Sequence, residues 1–175
     1  MNHRILSLAL CLLIIFYLPA CTPSTTPHDD IDFSTQIIRT DEIDAPAPGN
    51  FPDCLVIRSY DALQNYYTEH QTQFQFAQLS RACDSNVADF STAIAQYSPS
   101  WFEIHDLLLV RVRATSGSAT LQISSVTHKS SPAQWSISVK EILPDTASAD
   151  TAFWHILITV DKCECSSHSV TVVMR

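Results

Sequence analysis

Cys163-x-Cys165-x-x-His168 is the densest group of soft ligand atoms in the chain. Two thiolates and an imidazole suit zinc or copper, but a closed structural zinc site takes four ligands. His155 or Cys54 would have to be brought in by the fold. The same thiols suit oxidation. Cys54, Cys83, Cys163 and Cys165 form an even set, which in an oxidising compartment reads as disulfides. Cys54 with Cys83 would flank a first helix and leave Cys163 with Cys165, a very short and strained loop. Cross-pairing is the other arrangement. His155 beside Trp154 has the type of a general base. A base needs a positioned nucleophile, and no Gly-x-Ser-x-Gly elbow accompanies the serines. It therefore reads as a core histidine with one nitrogen hydrogen-bonded. Glu103, His105 and Asp106 read as the polar start of a strand, so no catalytic or cofactor-binding residue is assigned.

The elements that must position these residues follow from periodicity. Cys54 to Arg58 is a short apolar run and reads as a buried strand. Ser59 reads as the N-cap of a helix over 60–70, with Asp61 in its first turn and Leu63, Tyr66 and Tyr67 inward. Residues 71–84 are open between strand, from Phe74 and Phe76, and helix, from Phe76 and Leu79. Val87, Phe90, Ile94 and Tyr97 predict a second helix, stopped by Pro99. A run of strands follows from Leu107. Leu108, Val110 and Val112 share one face, with Leu109, Arg111 and Arg113 on the other. Ser116-Gly117-Ser118 reads as a tight hairpin turn that uses positive φ at glycine. Leu121 and Ile123 continue the apolar face, with a bulge before Val126. Trp135, Ile137 and Val139 alternate with Ser136, Ser138 and Lys140. Phe153 to Val160 reads as a central strand, with Trp154, Ile156, Ile158 and Val160 on one face. Residues 168–174 close the sheet. The expected fold class is α+β, an antiparallel meander with about two helices on one face.

The other boundaries come from composition. Only Gly49 and Gly117 are glycines, too few for a phosphate-cradling loop. The chain after Cys21 keeps all 18 acidic residues and nine of the ten Lys and Arg, a formal charge of −9. Nucleic acid is excluded as a partner on that charge. Ile5 to Leu18 is an apolar run after a basic start, too short for a transmembrane span and suited to a signal-peptide core, with Cys11 inside it. It ends in Leu18-Pro19-Ala20-Cys21, which resembles the lipobox of bacterial lipoproteins. The resemblance implies cleavage after Ala20 and a diacylglyceryl thioether on Cys21, usually with an added fatty acyl (palmitate-type) chain. Residues 1–20 are then the signal peptide. Residues 21–53, rich in Pro, Thr and Asp, read as an acidic tether, with Ile37 and Ile38 open between strand and extended chain. Residues 54–175 are the globular domain.

Trp101-Phe102, the LLLVRV run, Ser116-Gly117-Ser118, Glu141 to Asp145 and Ala152 to Ile158 (AFWHILI) carry a second resemblance. From about Val56 to Lys162 the chain resembles a family of clostridial and related lipoproteins, and the C-terminal domain of the PrcB-type subunit of a spirochaete surface protease complex. The resemblance implies a non-catalytic lipoprotein that helps assemble or stabilise a protease complex. It brings no catalytic residues, and the 163–168 segment is not part of its pattern. The expectation is a non-enzymatic, membrane-anchored, extracytoplasmic protein-binding module without a cofactor; in a two-membrane cell it could reach the outer membrane. The alternative is a metal or small-ligand binder using Cys163, Cys165 and His168.

Overall fold

The computed structural model describes residues 29–40, 51–76, 89–130, 133–164 and 169–175. Among the described residues, eight strands form two four-stranded sheets. They are β1 (Asp29–Asp30), β2 (Ser34–Thr40), β3 (Asp53–Ile57), β4 (His105–Ala114), β5 (Thr120–Ser130), β6 (Ala133–Ile142), β7 (Ala152–Asp161) and β8 (Ser169–Met174). The first sheet has the order β1-β5-β6-β8 and the second β2-β7-β4-β3. All neighbours are antiparallel except β6 and β8, which are parallel.

Two helices, α1 (Tyr60–His70) and α2 (Phe90–Ile94), cover the outer side of the second sheet. The result has three layers: helices, the β2-β7-β4-β3 sheet, then the β1-β5-β6-β8 sheet. The α+β content and the single helical side agree with the sequence expectation. The meander does not. β4 pairs with β7 and never with β5, so the chain crosses between sheets at 115–119 and returns over 143–151.

The middle sheet is buried on both faces, which explains its almost unbroken apolar runs. Leu107, Leu109 and Leu157 face the helices, with Leu63, Tyr66, Phe74, Phe76 and Phe90. Leu108, Val110, Val112, Ile156, Ile158 and Val160 face Val126, Trp135, Ile137 and Val139 across the sandwich. The face assignments for β4, β6 and β7 made from alternation hold, and β7 is central. The register shift in β5 falls between Ile123 and Ser125, where the out-of-step Val126 required it. Val126, Ile137 and Val139 therefore all point inward.

α1 starts as its sequence demands. The Ser59 side chain accepts from the Ala62 amide at 3.2 Å, and Asp61 lies in the first turn. After it, residues 71–76 are neither strand nor helix. Phe74 N donates to the His70 carbonyl and Phe76 N to that of Gln71. Gln75 has φ 48°, a left-handed conformation uncommon outside glycine. This kink turns both Phe74 and Phe76 inward, where each is essentially inaccessible. Burying each ring contributes roughly 2–3 kcal/mol, enough to outweigh the backbone strain. α2 is shorter than its apolar spacing suggested; its cap is Asp89, whose carboxylate accepts from Thr92 N at 2.6 Å. Leu79, Cys83 and Val87 lie outside the described residues.

The sequence placed 21–53 in a tether. Within that stretch β2 pairs along its whole length with β7, from Ser34 with Thr159 to Thr40 with Phe153. Ile38 and Thr40 are buried. The folded unit therefore takes in residues 29–40.

Ser116-Gly117-Ser118 is not a hairpin turn and Gly117 has no positive φ. It is the inter-sheet corner, and the glycine leaves room for the Asp150 side chain. A Cβ there would collide with the Asp150 carboxylate. Gly117 N donates to the Asp150 carbonyl at 2.8 Å, and Arg39 donates to the Gly117 carbonyl at 2.7 Å. The Ser116, Ser118 and Ser148 hydroxyls close on one another at 2.9–3.3 Å. Both crossings are thus fastened together.

Candidate functional site

Strand register brings His155 on β7 opposite Arg111 on β4 and Ile38 on β2. All three strands belong to the middle sheet, and the imidazole points into the helical layer. Phe74, Phe76 and Phe90 surround it edge-on, with ring centroids 4.6, 5.1 and 5.3 Å away. Its Nδ1 is 2.9 Å from the Thr40 hydroxyl and its Nε2 2.8 Å from the Tyr66 hydroxyl. The Arg111 guanidinium lies near enough to act electrostatically on the Tyr66 phenol. On its other side Arg111 grips the Asp53 carboxylate through two nitrogens, the Nε bond at 2.8 Å.

The electrostatics follow from this enclosure. Burial first, then the Arg111 and His70 charges, push the His155 pKa down to about 3. Burial raises the Tyr66 phenol. A neutral imidazole with both nitrogens engaged and no path to solvent is a structural group. It orients Thr40 and Tyr66 and holds β2 to α1 through β7. The sequence anticipated one hydrogen bond to this histidine; there are two, to Thr40 and to Tyr66. Thr40, Tyr66, Arg111 and Asp53 were not singled out as its partners. The signal that could have found them is the pairing of β4 with β7, which sets Arg111 opposite His155.

The second polar centre lies at one end of the sandwich. Cys163 follows β7, half-buried, with its N–H donating to Asp106 Oδ2 at 3.2 Å. Its Sγ is 3.8 Å from His128 Nε2. His128 in turn lies against Trp135, ring centroids 4.4 Å apart. Asp106 is fully buried at the start of β4, with Arg58 Nε 3.8 Å from the same oxygen. Its neighbours go elsewhere. His105 stacks on Trp101 at 4.7 Å and donates from Nδ1 to the Trp101 carbonyl, while Glu103 is exposed. The three residues therefore diverge.

Cys165 and His168, and with them the proposed Cys163-Cys165-His168 group, lie outside the described residues, as do Cys21 and Cys83. Among the described residues no three His, Cys, Asp or Glu side chains are grouped to hold a metal ion. Cys54 and Cys163 are free thiols. Cys54 is turned to the inter-sheet core, away from the helices, and burial followed by the Asp53 charge pushes its pKa up to about 12. The described helices include none long and apolar enough to cross a membrane.

No family model, curated protein or solved structure matches this chain.

Between the start of α1 and the 99–103 segment a cleft of about 440 Å³ is bordered by Arg58, Asp61, Glu103 and Lys162. Its lining holds two cations and two carboxylates, so it favours no ligand of a single charge. His155 and Cys54 are turned inward, into packing and hydrogen bonds.

Proposed function

We propose that this chain is a lipid-anchored, extracytoplasmic module that acts by binding a protein partner and catalyses no reaction, the partner being a surface protease or similar envelope complex. One observation carries the reading. An apolar run ending in Leu18-Pro19-Ala20-Cys21 stands eight residues before Asp29, the start of the first described strand. The inward disposition of His155, Cys54 and Arg111 supports it, as does the resemblance to PrcB-type lipoprotein domains. Cross-linking on intact cells, followed by purification of the solubilised protein, is expected to trap one envelope protein at near-stoichiometric yield. Recovery of the chain without any such protein would remove the binding half of the proposal.

A second reading has one observation in its favour. Cys163 Sγ and His128 Nε2, from different sheets, lie 3.8 Å apart. A thiolate and an imidazole so placed could begin a zinc or copper(I) site, with Cys165 two residues on. The reduced, purified protein would then retain metal, and Cys163→Ser or His128→Ala would each release it. A metal-free protein that takes up neither zinc nor copper excludes this reading.

A further inference from the structure

Of four recesses on the described surface, one differs from the rest in charge. The cleft beside α1 holds Arg58, Asp61, Glu103 and Lys162. Another, of about 310 Å³, holds Arg113 and Glu141, and a third, of about 220 Å³, holds Asp32 and Asp161. The fourth, of about 270 Å³, is lined by no Lys, Arg, Asp or Glu among the described residues.

Strand pairing builds the floor of this fourth recess. Ser34 on β2 lies opposite Thr159 on β7, and Gln36 opposite Leu157. Partners across a strand pair share a face, here the one that Leu157 turns toward the helices. α2 ends at Ile94, so the opposite wall is made by Gln96, Tyr97 and Trp101 beyond it. Tyr97 meets Trp101 edge-on with ring centroids 4.6 Å apart, and Trp101 stacks on His105 at 4.7 Å. The groove is thus uncharged and polar on one side and aromatic on the other.

Its polar groups are open to a ligand or held in position. Among the described residues nothing hydrogen-bonds the Ser34, Thr35 or Gln36 side chains. Gln96 Nε2 donates to the Ala93 carbonyl at 3.1 Å, which sets the orientation of that amide. His105 commits Nδ1 to the Trp101 carbonyl and leaves Nε2 for a ligand.

Such a lining selects by elimination. An ion would shed its water without meeting a counter-charge. A purely apolar ligand would leave the glutamine and hydroxyl groups unpaired. Neutral hydroxyls, each donor and acceptor at once, match them. The C–H faces of a sugar ring suit the negative faces of aromatic rings. The groove shares Ser34, His105 and Thr159 with the 220 Å³ recess, whose Asp32 and Asp161 repel anionic sugars. We propose that this groove binds a neutral saccharide, with one sugar ring between the β2–β7 floor and the Trp101–His105 wall. At about 270 Å³ it falls just below the roughly 300–1,000 Å³ of drug-sized sites, so it holds a single ring. The site depends neither on the lipid anchor nor on the protein partner proposed above.

Saturation-transfer NMR on the full chain, solubilised in a detergent that carries no sugar, tests this. The probes are the methyl glycosides of glucose, galactose, mannose and N-acetylglucosamine, with glucuronate as an anionic counterpart and N-acetylalanine methylamide as a neutral peptide. At least one neutral glycoside is expected to receive saturation at its ring protons, and glucuronate and the peptide several-fold less. Gln36→Leu and Thr159→Val should each weaken its binding about five- to tenfold, the loss of one neutral hydrogen bond. Glu103→Gln, in the charged cleft, should leave it unchanged. Unfolding curves establish that each variant is folded; Gln96→Leu, at an exposed position, replaces either one that is not and carries the same expectation. The absence of transfer to all four glycosides overturns the proposal, and so does binding that is unchanged in these variants. Equal transfer to glucuronate overturns the selection by charge on which it rests. Transfer to the peptide alone assigns the groove to a protein and equally overturns it.

Discussion

His155 shows how far one side chain's chemistry depends on its enclosure. The same imidazole on an exposed strand would titrate near its ordinary value and could act as a base. Here its pKa lies near 3 because charging it would place an unsolvated cation among three phenylalanine rings. The sign for stability follows. The unfolded chain binds a proton at this site below about pH 6.5, while the folded chain resists it down to about 3. The contribution is complete above pH 6.5 and is lost as pH falls through that window, at up to about 1.4 kcal/mol per pH unit. Denaturant unfolding between pH 7 and 4 should therefore show a steep acid loss in the native protein and a flatter one in His155→Gln. Equal slopes would place the acid sensitivity elsewhere. Tyr66→Phe leaves Nε2 without its hydrogen-bond partner and should cost about 1–3 kcal/mol at neutral pH.

Cys54 makes a second statement at this scale. With its pKa raised to about 12, its thiolate population at pH 8 is about a thousandfold below that of an ordinary thiol. Alkylation of the native protein followed by mass mapping should leave Cys54 unlabelled, and labelling should appear on denaturation without reductant. Labelling that requires reductant would instead mean that Cys54 is held in a disulfide.

At the level of elements, alternation was a reliable guide to faces and a poor guide to neighbours. Leu108/Val110/Val112 and Ile156/Ile158/Val160 could be assigned to one side because period two is a local property. That β4 lies beside β7 and not β5 is decided by the 115–119 and 143–151 crossings, whose fastening is serine hydroxyls and a Gly117–Asp150 contact without a strong local signature. The glycine was visible, but the reason for it was not. Gly117→Ala should push the Asp150 side chain aside and cost about 1 kcal/mol or less, since a surface carboxylate can swing away. Asp150→Ala in the same protein should recover most of that loss. β2 was obscured for a different reason. Its polar, acidic and proline-rich flanks look like spacer, and only Ile37, Ile38 and Thr40 hint at pairing. A chain beginning at Cys54 would expose the β7 edge and remove the Thr40 partner of His155. Proteolysis should find it unfolded, whereas a chain beginning at Asp29 should give a resistant, cooperatively unfolding core. Equal resistance would reduce β2 to an ornament of the edge.

For the molecule as a whole, the candidate site was legible by residue type and not by use. His155 was recognised as a core group from the lack of a nucleophile, yet its bonds to Thr40 and Tyr66 need a register that no single segment encodes. His128 could not be linked to Cys163, because they meet across two sheets. His155, Cys54 and Arg111 are engaged internally, and the proposed role rests on that and on the proposed anchor at Cys21. Intact-mass analysis of the protein extracted from the membrane fraction tests the central claim most directly. The account predicts a polypeptide that starts at Cys21, carries diacylglyceryl plus an acyl chain, and leaves the membrane on Cys21→Ser substitution. An unlipidated chain in that fraction, or unchanged fractionation of the Cys21→Ser protein, would contradict it.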